Sequence, residues 1–132
     1  MFEHRTANIF IDSEEVVWFK YKDGIEITIE DSKEYVKIIN AICAGKRRCF
    51  ILDTRGVLIQ TSNEHRAFMV QNKDALKWRI ADAILVDNLP NSILSYSYKN
   101  NFSNLHPIKI FKDEEEAKHW LKQIVKQKDK AG

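Results

Sequence analysis

Residues 48–57, Arg48-Cys-Phe-Ile-Leu-Asp-Thr-Arg-Gly-Val57, decide the fold. Cys49 to Leu52 is apolar without a break and only four residues long. A run that short suits a strand buried on both faces, as strands of parallel sheets are. Ala83 to Val86 has the same character and gives a second buried strand, and Ile108 to Phe111 gives the last one. Between them lie helical segments. Thr61-Ser-Asn-Glu64 matches a capping box and starts a helix carrying Ala67, Phe68, Val70, Ala75 and Leu76. Gln71 to Asp74 interrupts that pattern, so a bend or restart is expected there. Pro90 suits the first turn of another helix, with Leu94, Tyr98 and Phe102 along one side. Asp113 caps the final helix, whose acidic start and lysine-rich end match the helix dipole.

Upstream of the deciding stretch, Ala7, Ile9 and Ile11 alternate with Asn8, Phe10 and Asp12, and Val17, Phe19 and Tyr21 continue that period. The short Ser13-Glu14-Glu15 connection makes the two an antiparallel hairpin. Asp23-Gly24 breaks the second strand, and Ile25, Ile27 and Ile29 run extended towards a helix. That helix spans about Asp31 to Ala44, with Tyr35, Ile38, Ile39 and Ile42 on one face. Asp31 with Glu34, or Thr28 with Asp31, caps its start, and Gly45 suits its end. The resulting order is ββαβαβαβα: an α/β fold with a mostly parallel sheet, an antiparallel N-terminal hairpin and packed helices.

The chain has 132 residues, the common size of one domain. We expect a single domain over residues 1–126 and a charged flexible tail over 127–132. Its 21 Lys plus Arg against 19 Asp plus Glu give a net charge of +2, which argues against a dedicated nucleic-acid binder. The longest apolar run is four residues, far short of a membrane span, so stable membrane insertion is not expected and a cytoplasmic location is. Cys43 and Cys49 lack metal-ligand spacing and suit small buried hydrophobes. The four histidines include no pair one helical turn apart, and no metal or cofactor is expected.

The segment Phe50 to Val57, followed by Thr61-Ser62, resembles the central motif of the SpoIIAA-like or STAS fold. In that family a buried strand ends in Asp, a glycine-containing loop follows, and a serine opens the next helix. Asp53, Gly56 and Val57 fall on the motif, and Ser62 falls where anti-sigma-factor antagonists carry their phosphorylated serine. Ile108 to Phe111, Asp113 to Ala117 and Trp120-Leu121 resemble the C-terminal signature of the SpoIIAA-like branch, which is related to CRAL-TRIO lipid-exchange domains. The chain departs from the antagonists in having Thr61 before the serine, where they carry Asp, and Glu64 soon after it, where they carry a small residue.

The resemblance implies a non-enzymatic protein-interaction or regulatory module of bacterial signalling, with a protein partner meeting Thr61, Ser62 and Asn63. Its alternative is a carrier or sensor of a lipid or other apolar small molecule, which requires a sizeable cavity. Asp53 and Asp87, at strand ends, suit loop-bonding aspartates better than a metal or phosphoacceptor site. Ser62 and His65 are within reach of each other on one helix, yet no Gly-x-Ser-x-Gly elbow or orienting third group accompanies them, so no catalytic residues are assigned. Lys46 to Arg48 and the terminal lysines suit solvated surface. Trp18 is expected in the core; were it exposed, it would offer a contact for a partner or for a second copy in a homodimer.

Overall fold

Alternation at the N-terminus makes the first pairings. The computed structural model describes the backbone of residues 1–131 and the side chains of residues 1–130. β1 (Phe2–Glu3), β2 (Ala7–Ile11) and β3 (Val17–Tyr21) form an antiparallel ribbon in which Ile9 faces Phe19 and Phe10 faces Trp18. Asp12 Oδ1 holds the β2–β3 connection by accepting from the N–H groups of Glu14 (2.9 Å) and Val16 (3.0 Å). The expected hairpin is therefore present, with β1 added at its edge.

β4 (Ile25–Ile27) leads into α1 (Ile29–Cys43). Of the two expected caps, Thr28 with Asp31 forms: the Thr28 N–H donates to Asp31 Oδ2 at 2.8 Å, and the Asp31 N–H donates to Thr28 Oγ1. The helix closes on Ala44 in the left-handed region, followed by Gly45 at φ +80°. The remaining elements are β5 (Arg48–Asp53), β6 (Ile59–Thr61), α2 (Asn63–Gln71), a 3₁₀ turn (Lys73–Leu76), β7 (Arg79–Leu85), α3 (Leu89–Phe102), β8 (Ile108–Phe111) and α4 (Glu114–Ala131). The restart after Gln71 is the expected one. β4 and β6 pair with each other as a separate parallel ribbon, a partnership that neither three-residue segment reveals alone.

The main sheet has the order β1-β2-β3-β5-β7-β8, parallel from β3 onwards. Each crossover moves one strand further in the same direction, and crossovers share one hand, so α1, α2 and α3 collect on one face. On that face Phe19, Tyr35, Ile39, Phe50, Ile84 and Phe102 belong to one core. α4 alone covers the other face, where Trp18, Ile51, Ala83, Leu85, Phe111 and Leu121 pack together. Trp18 is thus core: it is 7% exposed, its Nε1–H donates to Asp12 Oδ2 at 2.9 Å, and Lys118 lies over its ring. Both cysteines are buried and free, and burial pushes the Cys49 thiol up to about 11.

Two expectations need correction. Thr61 does not cap α2; it ends β6, and Ser62 is the N-cap, its Oγ accepting the His65 N–H at 3.0 Å. The β4–β6 pairing extends the strand through Thr61 and moves the cap one residue on. No backbone boundary falls at residue 126, because α4 continues to Ala131; Gly132 lies outside the described residues. No helix of the described residues is long and apolar enough to cross a membrane.

Candidate functional site

α2 fully buries none of its side chains, and α3 buries only Asn91, Ser95 and Phe102. Asn91 and Ser95 are too small to fill the space between α3 and the sheet, and α2 stands off it. The result is a cleft of ≈ 320 Å³ between α1, α2, α3 and the sheet, at the lower end of ligand-site volumes. Phe19, Tyr35, Ile39, Met69, Leu76 and Phe102 are among its apolar wall residues.

Polar groups sit at defined points along it. Ser32 on α1 and His65 on α2 both line the cleft, and Ser32 Oγ contacts His65 Nδ1. Burial, reinforced by Arg66 and opposed by Asp31, holds the imidazole down at about 4, so the ring is neutral near pH 7. Ser32 Oγ also donates to the Thr28 carbonyl at 3.2 Å, and among the described residues no carboxylate bonds the other ring nitrogen. A nucleophile with a base but no orienting acid is a weak catalytic arrangement. The histidine expected beside Ser62 meets Ser32 with its ring instead, because Ser62 bonds the His65 backbone.

A buried ion cluster also borders the cleft. Asp82 accepts from Arg79 Nη1 (3.0 Å), Tyr98 Oη (2.5 Å) and His106 Nε2 (2.8 Å). Burial alone would raise the Asp82 carboxyl, but the Arg79 charge and the bonds from His106 and Tyr98 outweigh it and hold the group ionised. Arg79 and Tyr98 line the cleft; Asp82 does not. Nothing in the spacing of these residues distinguished them from surface charges in the sequence.

The motif residues take structural posts at the C-terminal edge of the sheet. Asp53 is buried and forms a fork with Arg55, whose Nη2 also reaches Glu114 at 2.9 Å, pinning the loop to α4. Gly56, at φ +74°, donates its N–H to Asp87 Oδ2 at 2.9 Å. Asp53 and Asp87 thus serve the loop, each with its own partner. Asn91, fully buried, was not singled out by the sequence; it donates to the Thr54 (3.0 Å) and Val57 (2.8 Å) carbonyls and ties the same loop to α3. Thr61 and Ser62 are half-buried and Asn63 is exposed. Arg66 bonds Thr61 and Asn63, while the Ser62 hydroxyl is engaged as a cap.

Tertiary folding brings His4 to Asp31 and Glu34, a set with metal-ligand atoms within reach of one another. The donor chemistry does not suit an ion. His4 Nδ1 accepts the Thr6 N–H at 3.1 Å, so the neutral ring carries its proton on Nε2, the nitrogen that faces Glu34 at 3.3 Å. Asp31 is already engaged by Arg5 and by the Thr28 N–H.

A mostly parallel sheet with an antiparallel leading hairpin, three helices on one face and one on the other is a SpoIIAA-like fold. A crystallised uncharacterised protein of the DUF3478 family from Shewanella loihica PV-4, described as having a SpoIIAA-like fold, superposes with a TM-score of 0.63 at 15% identity, over 92% of this chain and 98% of that one. The chain itself belongs to the family described as domain of unknown function DUF7793, which it matches over residues 9–125. No curated protein matches it by sequence.

Proposed function

We propose that this chain is a non-enzymatic binding module that takes an apolar small molecule in the cleft between α1, α2 and α3. The carrying observation is the cleft itself: ≈ 320 Å³ walled largely by apolar side chains of three helices and the sheet, within the range of small-molecule sites. The test uses N-phenyl-1-naphthylamine, a neutral dye that brightens in apolar surroundings. Its emission should rise with the wild-type chain, and Met69→Trp, which fills the cleft from half-buried α2, should remove the rise. Emission equal to that in buffer would refute the reading.

A second reading, a partner-binding regulatory module of bacterial signalling in the cytoplasm, is supported by a different surface. Leu89, Ile93 and Tyr96 form an apolar stripe on α3 and are 72%, 61% and 55% exposed. Pull-down with wild type and with Tyr96→Asp, a stripe residue outside the cleft wall, tests it, since a partner seated on this stripe should be lost from the variant.

A further inference from the structure

Among the described residues no carboxylate lines the cleft, whereas two guanidinium groups, Arg79 and Arg66, do. Arg66 is exposed and occupied by Thr61 and Asn63. Arg79 is different. Its side chain is 8% exposed, and it is the sole Lys or Arg in the buried core of the described residues. Its plane lies over the Phe50 ring at 4.5 Å. Nη1 is bonded to Asp82, but Nε is buried and finds no acceptor. Buried N–H groups are almost always paired, so this one marks a site missing an acceptor. Asp82 does not supply it: its Oδ1 takes the Arg79 Nη1–H and its Oδ2 takes Tyr98 and His106.

We infer that the cleft takes an apolar molecule bearing a single carboxylate, acyl or aryl, with Arg79 as the head-group anchor. This rests on the binding reading given above. The guanidinium fork matches a carboxylate in geometry and strengthens in an apolar wall. A monoanion balances the one cation there. A dianion would put a second negative charge near Asp82 with no further buried Lys or Arg to meet it. Tyr21, which also lines the cleft, feels both the Arg79 and the Asp82 charges and belongs to the same polar end.

The experiment compares decanoate with 1-decanol, probes of similar length that differ in head group, by calorimetric titration of the full chain. Decanoate should bind at least about tenfold more tightly, as expected for a charge-assisted fork in an apolar site. Because Arg79→Met alone would strand Asp82, the informative variant is the double Arg79→Met/Asp82→Asn. In it the two affinities should converge to within about twofold, while Arg66→Ala should keep the preference. Nitrogen-15 spectra of the wild-type arginine side chains need no variant: the Arg79 Nε–H should shift with decanoate and stay with decanol. Equal binding of both probes, a preference that survives the double substitution, or a shift confined to Arg66 would each overturn the anchor while leaving the cleft reading standing. If neither probe binds, the cleft reading falls with it.

Discussion

Arg79 and Asp82 stand three residues apart on one strand, yet their side chains meet on the same face of the sheet at 3.0 Å. Strict alternation would send them to opposite faces. The pairing of β5 with β7 explains the exception: Arg48 faces Arg79 and the next residue, Cys49, faces Ala81, so Ile80 is an extra residue in the ladder. Such a shift re-aims the side chain before it. It places a guanidinium under α3, against Phe50 and beside the cleft.

Removing one member of that pair leaves the other charged and buried. Asp82→Asn should therefore lower stability by about 3–5 kcal/mol, read as a fall in the urea midpoint. The double Arg79→Met/Asp82→Leu should recover part of the loss, because no unpaired charge remains. A double variant as unstable as the summed singles would contradict this account.

Acid should weaken the fold through His65. Folded, its pKa is held down at about 4, whereas the unfolded residue titrates near 6.5. Between those values the unfolded chain takes up a proton that the folded one refuses, so stability falls as pH drops from about 6.5 towards 4. Partial exposure of the ring keeps the loss to the order of 1–3 kcal/mol. Urea curves at pH 7.5 and 5 should show a smaller drop for His65→Gln than for wild type; equal drops would remove His65 from the explanation.

Ser62 separates capping from switching. Ser62→Ala removes the bond to the His65 N–H and should lower stability by about 1 kcal/mol, while Ser62→Asp keeps a capping oxygen and loses little. If Ser62 is also a phosphorylation switch, Ser62→Asp should lose a partner protein that Ser62→Ala retains. Identical partner profiles for the three proteins would leave only the cap.

His4, Asp31 and Glu34 should not hold zinc. Tenfold or lower excess is informative at the level of melting temperature, because a ligand that binds only the folded state raises it. Stoichiometric zinc should leave the melting temperature of wild type unchanged, and a clear rise absent from His4→Ala would show that the Thr6 N–H fails to fix the tautomer as argued.

Local patterns made much of the fold legible. The uninterrupted Cys49–Leu52 run announced a central strand, the alternation before it announced a hairpin, and Thr28 with Asp31 marked a helix start that forms as read. Each signal lies within a few residues and reflects burial period or cap chemistry. The cap of α2 was misplaced by one residue because the pairing of β6 with β4, more than thirty residues upstream, lengthens the strand.

The sequence by itself determined the chain order of β2, β3, β5, β7, β8 and the four helices, the two-sided burial of β5 and β7, and the loop post of Asp53, since all follow from periodicity and local bonding, whereas the bond of Gly56 to Asp87 joins distant segments. Only the tertiary structure decided the cleft, the meeting of Ser32 with His65, and the burial of Arg79 against Asp82, Tyr98 and His106. These depend on how far helices with few large inward side chains stand off a sheet, and on one extra residue in a ladder. Both are properties of packed surfaces from distant segments, which no short window of sequence contains.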